Sequence, residues 1–167
     1  MVISSQYMNG LVLLTDGSVN TLTKVGFGAY LLVTELEHSL EKLSKQIKVK
    51  RFEQTSSTKL ELQTLLWAFN DTQPLGQKLI IYSDSQNIIR LPNRRAHLEQ
   101  NDYRSKKNIL LLNHQLYREF YHWFDLLDCE FVKVSGHVAT KQKDRIDQIF
   151  TLVDRSARKA LRDYIPQ

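Results

Sequence analysis

Two apolar segments that each run into an aspartate constrain this chain more than any other feature. Residues 11–18 read LVLLTDGS and residues 79–85 read LIIYSDS, with Asp16 and Asp84 as their acids. Short apolar runs of this kind are typical of buried strands. Burying an unpaired charge costs several kcal/mol, so a carboxylate at the end of such a strand is neutralised by a partner, a proton or a metal cation. Two of them together favour Mg²⁺.

Size and composition indicate one globular unit. The chain has 167 residues, with 23 Lys and Arg against 18 Asp and Glu and a formal charge of +5. We expect a single domain over residues 1–167. The basic excess fits a solvated surface and a polyanionic partner about equally well.

Targeting and redox signals are weak. The single cysteine, Cys129, excludes an intramolecular disulfide. Residues 1–7 lack the basic flank and apolar stretch of a signal peptide, and no apolar run approaches the roughly 18 residues that span a bilayer. We therefore expect a soluble, cytoplasmic protein with no membrane contact.

Hydrophobic periodicity predicts an α/β fold. Strands are predicted within residues 11–18, at 26–34, within 45–52, at 78–83 and at 129–134. Helices are predicted from residue 57, capped by Ser57 or Thr58, to the breakers Pro74 and Gly76; from 85 to about 91, ended by Pro92; at 114–127, capped by Asn113; and from 144 to about 162. Residues 93–108 form a basic surface excursion. The order β-β-β-α-β-α-α-β-α implies a mixed sheet with helices on both faces.

Further acids fall where they can join the first two. Glu61 lies in the first turn of the helix that begins near residue 57. The last helix contains Asp147 and Asp154, which are seven residues apart and therefore share a face. His137 follows the last strand, beside Gly136.

Five motifs carry a family resemblance. They are TDGS at residues 15–18, KLEL at 59–62, YSDSQ at 82–86, SGH at 135–137 and VDRSARKAL at 153–161. Their order and content resemble type 1 ribonuclease H over roughly residues 9–162. The resemblance implies a ribonuclease H-like fold with a five-stranded mixed sheet flanked by helices on both faces. It also implies a metal-dependent endoribonuclease that cuts the RNA strand of RNA–DNA hybrids with two Mg²⁺ ions, for which Mn²⁺ is a substitute.

The resemblance assigns roles to the acids. Asp16 would bridge both ions, Glu61 and Asp84 would bind one, and Asp154 the other, while His137 would move a proton or release product. Two cations serve phosphodiester hydrolysis by activating water and stabilising the leaving oxygen, and Mg²⁺ prefers oxygen ligands.

The fourth carboxylate has two candidates. A spacing of about ten residues after the histidine, which is frequent in the family, selects Asp147. The packing positions that follow the acid select Asp154, which we favour because packing fixes a helix face whereas loop length varies.

Substrate contacts are predicted at two places. Ser18 and the segment Ser57, Thr58 and Lys59 would bond phosphates or the 2′-OH that separates RNA from DNA. Arg94 and Arg95, in the basic excursion, would meet phosphates without sequence preference. The predicted partner is an RNA–DNA hybrid, bound by a monomer with no obligate protein partner. The alternatives are a binding module with this fold and weak catalysis, and a ribonuclease H-like DNA nuclease.

Overall fold

A mixed sheet forms the centre of the protein. The computed structural model describes residues 10–135 and 144–166. Its strands are β1 (Gly10–Asn20), β2 (Val25–Val33), β3 (Lys48–Phe52), β4 (Lys78–Ser83) and β5 (Asp128–Lys133). They form one five-stranded sheet in the order β3-β2-β1-β4-β5. The β1–β2 and β2–β3 pairs are antiparallel, whereas β1–β4 and β4–β5 are parallel, which confirms the predicted mixed sheet.

Helices cover both faces of the sheet, also as predicted. They are α1 (Leu40–Ser44), α2 (Ser57–Thr72), α3 (Gln86–Gln100), α4 (His114–Leu126) and α5 (Arg145–Asp163). Because side chains alternate along a strand, Leu13 of β1 packs with α2, α3 and α4, and Leu14 packs with α1 and α5. The sheet therefore separates two apolar cores, with α2 on one side and α5 on the other.

Helix α2 lies unusually close to the sheet. A Cβ atom at Gly28 would overlap the Thr64 hydroxyl, and one at Gly17 would lie 2.9 Å from a methyl of Leu60. Thr64 is fully buried, and its hydroxyl donates to the Leu60 carbonyl at 2.8 Å. Gly17 on β1 and Gly28 on β2 therefore allow α2 to pack close to the strand that carries Asp16.

Several predicted boundaries are wrong. Helix α3 does not end at Pro92 but continues through it to Gln100, so Arg94 and Arg95 lie on a helix rather than in an excursion. The N-cap of α2 is Ser56, whose side chain accepts from the Lys59 amide at 3.3 Å, and not Ser57 or Thr58.

The first hairpin and the short helix α1 also differ from expectation. Strand β1 continues beyond Asp16 to Asn20, so only residues 21–24 form the turn before β2. No periodicity indicated α1, which has only five residues. None of the helices in residues 10–135 and 144–166 has the length and apolar character needed to cross a bilayer.

Candidate active site

Asp16 and Asp84 meet where two parallel strands part. The β1–β4 ladder ends at the pair Leu14 and Tyr82, while β1 continues alongside β2, with Asp16 opposite Ala29. Asp84 follows directly after the end of β4. Asp16 is therefore uncovered on the side that β4 has left, and Asp84 stands at the mouth of this gap.

The other two acids approach the gap from opposite faces. Glu61 comes from the first turns of α2. Asp154 comes from α5, beside the buried Val153, on the sheet face that Asp16 shares with Leu14. A small cavity of about 10 Å³ lies between β1, β4 and α2. It is lined by Thr15, Asp16, Glu61, Thr64, Ser83 and Asp84.

Burial and, after it, the crowding of like charges shift the pKa of Asp16. Burial, then the charge of Asp84 and a hydrogen bond with the Asp154 carboxyl, raise the pKa of Asp16 to about 8. The Gly17 amide opposes this by hydrogen bonding to the charged form. Asp16 therefore retains a proton at a higher pH than an ordinary aspartate does.

The remaining acids of the gap are shifted in the same direction. Desolvation raises the pKa of Glu61, and the charge of Asp84 adds to it. Asp84 is exposed by surface area, yet the protein around its carboxyl partly desolvates it, and with the charge of Asp154 this raises its pKa. Arg158 and Lys133 partly offset the shift of Asp84. The site therefore holds excess negative charge.

Ser85 orients Glu61, a role that the sequence did not reveal. Its hydroxyl donates to Glu61 Oε2 at 2.5 Å and accepts from the Ile88 amide at 3.3 Å as the N-cap of α3. The bond to Glu61 favours the charged carboxylate and opposes the rise of its pKa. A serine just before a helix is a typical N-cap, but the contact of Ser85 with Glu61 depends on how α2 and α3 pack.

The structure separates the two candidates for the fourth carboxylate. Asp154 bonds with Asp16 and accepts from Arg158 Nε at 3.0 Å. Asp147 forms a reciprocal capping box with Asp144 at the start of α5. Two helical turns, about 10 Å, separate their backbones. Asp154 thus joins the cluster, while Asp147 caps the helix. His137 lies outside the described residues.

The donor set suits a hard divalent cation. Carboxylate oxygens are the ligands that Mg²⁺ prefers, and excess negative charge is what a cation would relieve. As placed, no three Asp, Glu, His or Cys side chains in residues 10–135 and 144–166 converge closely enough to share one ion. The chemistry of the donors nevertheless fits the metal.

The predicted substrate residues fall into two groups. Ser18 lies two residues beyond Asp16, on the same strand face, and is half-buried. In the first turn of α2, Ser57 is exposed, Thr58 accepts from Asn87 at 3.5 Å and Lys59 donates to the Gln54 carbonyl at 3.3 Å. These side chains flank Glu61 and Asp16.

Arg94 and Arg95 instead lie between α3 and α4. The Arg94 guanidinium is 5.4 Å from the Tyr117 ring centre, and that of Arg95 is 5.2 Å from the ring of Tyr121. Arg95 also pairs with both carboxylate oxygens of Asp125, at 2.5 and 2.9 Å. Their role in substrate binding stays a prediction.

Comparison with known proteins places this architecture in a family. Residues 8–161 match the family model described as RNase H. The solution structure of the prototype foamy virus RNase H domain is 13% identical, with a TM-score of 0.71, over 93% of this chain and 96% of that one. No curated protein sequence matches the chain.

Two larger structures from foamy virus are also similar. The crystal structure of the prototype foamy virus protease-reverse transcriptase is 13% identical, with a TM-score of 0.72, and the match covers 96% of this chain and 22% of that one. The foamy viral protease-reverse transcriptase in complex with RNA/DNA hybrid is 13% identical, with a TM-score of 0.66, over 92% of this chain and 20% of that one. The chain thus spans about one fifth of these proteins, and at such identity the likeness shows the fold.

Proposed function

The chain belongs to the RNase H family, and from this premise we propose that it hydrolyses the RNA strand of RNA–DNA hybrids in an endonucleolytic, divalent-metal-dependent reaction. The observation that carries the proposal is the meeting of Asp16, Glu61, Asp84 and Asp154 at the β1–β4 gap, where three of the four have raised pKa values. Perturbed carboxylates in a cleft are typical of functional sites.

Asp16, Glu61, Asp84 and Asp154 would hold two Mg²⁺ ions, or Mn²⁺ in their place. When bound, the ions supply an activated water and stabilise charge on the leaving 3′ oxygen. Asp16 would bind metal as an anion, so its proton would have to leave before a metal binds. The Ser85 hydroxyl bonds to Glu61 and would favour the charged carboxylate that a metal needs. His137 is proposed to move a proton or assist product release.

Recognition of the hybrid is proposed to rest on polar groups beside the acids. Ser18, Ser57 and Thr58 present hydroxyls that can bond phosphate oxygens or the 2′-OH of the RNA strand. Lys59 adds a positive charge in the same turn as Glu61. Arg94 extends the positive surface along α3, and its contacts with phosphate would carry no sequence preference. Arg95 is a weaker candidate because Asp125 already compensates its charge.

Cleavage assays on matched substrates test the proposal. Labelled RNA–DNA hybrid, duplex DNA and duplex RNA are incubated with the protein, with Mg²⁺ and with EDTA. We expect Mg²⁺-dependent cleavage of the RNA strand of the hybrid alone. Binding without cleavage would identify a binding module, and cleavage of duplex DNA would identify a DNA nuclease; either would contradict the proposal. Asp84→Asn serves as the inactive control.

We also propose that one domain, acting as a monomer without an obligate protein partner, is sufficient for activity. The two cores enclose the sheet from both faces, and the acids belong to one chain. Light scattering coupled to size exclusion, with and without hybrid, tests this. A mass of one chain per hybrid is expected, whereas activity that appears only in a dimer fraction would contradict it.

A further inference from the structure

We propose that Arg158 is a resident counter-cation of the acidic site, which holds Asp154 until a divalent metal displaces it. The inference deepens the proposed function and rests on it, because it requires that Asp154 binds metal. It assigns to Arg158 a competing role in metal loading, in addition to any contribution to helix stability.

The geometry of the pair makes Arg158 a movable partner. Arg158 Nε lies 3.0 Å from Asp154 Oδ1, four residues earlier on α5. The Arg158 side chain is 69% exposed, whereas that of Asp154 is 29% exposed. The guanidinium therefore reaches from solvent onto a mostly buried carboxylate. The exposed guanidinium can move into solvent, and among the described residues its hydrogen bond is to this acid.

Arg158 stands apart from the other cation near the site. Lys133 also acts on Asp84, but its ammonium donates to Gln86 Oε1 at 2.8 Å. In residues 10–135 and 144–166, Arg158 is the cation that bonds directly to a carboxylate of the cluster. Its field extends to Asp84, so it screens two acids of the gap at once.

Displacement by metal follows from the strengths of the interactions. An exposed ion pair within one helix is weak and exchanges with solvent. A divalent ion that contacts several carboxylates gains more, since each acid adds to its attraction. While Arg158 occupies Asp154, one oxygen of that carboxylate is engaged and one positive charge opposes the incoming ion. Removing Arg158 should therefore tighten metal binding.

Arg155 provides a matched control. It lies on the same helix, one residue from Asp154, is exposed, and has no ion pair with any described residue. Arg155→Gln and Arg158→Gln remove the same charge at nearly the same position in the chain. A difference between the two variants reports the contact with Asp154 and not the net charge of the protein.

Calorimetric titration of the metal-free proteins with Mg²⁺ tests the proposal. For Arg158→Gln we expect a Kd that is about two- to tenfold lower than that of the wild type. For Arg155→Gln the change should stay below about twofold, because an exposed charge without a direct contact is screened. Arg158→Lys, which keeps the charge, should lie closer to the wild type than Arg158→Gln.

Thermal unfolding gives a second readout that does not depend on activity. Metal-free Arg158→Gln should melt below metal-free Arg155→Gln, because the acids lose their screen, and saturating Mg²⁺ should close this gap. Equal or weaker Mg²⁺ binding by Arg158→Gln relative to Arg155→Gln would overturn the inference while leaving the proposed function intact. Absence of Mg²⁺ binding by the wild type would overturn both.

Discussion

Charges are mostly paired on the face between α3 and α4. In the acidic gap between β1 and β4, like charges are clustered instead. On the α3–α4 face, Arg95 pairs with Asp125 and Glu99. Arg118 lies 4.0 Å from the Tyr103 ring centre and pairs with Asp102. In the gap, Asp16, Glu61 and Asp84 line one small cavity, and Asp154, which bonds with Asp16, accepts from Arg158. Compensated charges hold two helices together, whereas the uncompensated acids are poised for a ligand.

The comparison explains why one set of charges is stabilising and the other costly. The pKa of Asp125 is lowered by the hydrogen bond from Arg95, and that of Asp16 is raised by burial and its acidic neighbours. A lowered carboxyl pKa stabilises the folded protein above the ordinary pKa, and a raised one destabilises it there. The acids at the gap therefore lower the stability of the folded protein, as is common at functional sites.

Substituting the central acid should have the largest effect. Asp16→Asn removes a proposed metal ligand, and we expect hybrid cleavage to fall at least about a thousandfold. The free energy of unfolding of the metal-free protein should instead increase in this variant. Because the pKa of Asp16 is about 8 in the folded state, wild-type stability declines between pH 6 and 8, by about 2 kcal/mol more than that of Asp16→Asn.

The control for this prediction is on the other face. Asp125→Asn should keep cleavage within about twofold while lowering the free energy of unfolding slightly, because it breaks the exposed ion pair with Arg95. Urea unfolding at both pH values measures these effects. Greater loss of stability in Asp16→Asn than in Asp125→Asn at pH 8 would contradict the comparison.

Substitutions where α2 packs closely on the sheet should have the next largest effect. Gly28→Ala pushes a methyl into the Thr64 hydroxyl, so we expect a loss of about 2 kcal/mol and a displacement of Glu61 that weakens Mg²⁺ binding. Adding Thr64→Ala removes the hydroxyl and methyl that meet the new Cβ. The double variant should recover more than half of both losses. If it is no better than Gly28→Ala, the close approach does not position Glu61.

The outline of this fold could be predicted from periodicity, since strands and helices differ in the spacing of apolar residues. Pro92 shows where that reasoning fails. Proline costs about 3 kcal/mol inside a helix, yet α3 continues, because Ile88, Leu91 and Leu98 are buried and Arg95 bonds Asp125 across to α4. These contacts join segments about 30 residues apart, and local preference contains no information on them.

The acids of the site were identifiable, but their arrangement was not. Asp16 was expected at the end of a strand, whereas it lies within β1 at the point where β4 departs. The bond between Ser85 and Glu61 and the capping box of Asp147 depend on three-dimensional neighbours. Residue types predict which chemistry is available, and packing decides which groups meet.

Metal binding should depend on pH through the proton at the gap. Since the pKa of Asp16 is about 8, Mg²⁺ binding at pH 7 should release about one proton, and affinity should rise up to about tenfold per pH unit until it levels above pH 8. Calorimetry in buffers of different ionisation enthalpy counts the protons. Release should fall in Asp16→Asn. A wild-type affinity that is independent of pH between 6 and 8 would contradict the raised pKa of Asp16.

The smallest effects should distinguish two neighbouring arginines. Arg94 stacks on Tyr117, and no described carboxylate pairs with it, whereas Arg95 pairs with Asp125. We expect Arg94→Met to weaken hybrid binding a few-fold and to reduce the salt slope by about one. Arg95→Met should lower stability by about 1 kcal/mol with little change in binding. If the two variants lost equal affinity for the hybrid, the ion pair with Asp125 would not prevent Arg95 from binding substrate.

The fourth carboxylate gives the most direct test of the central claim, which is that the acids meeting at the β1–β4 gap form the metal-binding catalytic site. Cleavage of RNA–DNA hybrid is measured against Mg²⁺ concentration for Asp154→Asn and Asp147→Asn, two equivalent substitutions seven residues apart on α5. We predict that Asp154→Asn abolishes Mg²⁺-dependent cleavage, while Asp147→Asn retains it with little change in stability, because Asp144 remains the N-cap and an asparagine can still accept from the Asp144 amide. Abolished cleavage in Asp147→Asn with retained cleavage in Asp154→Asn would contradict the claim.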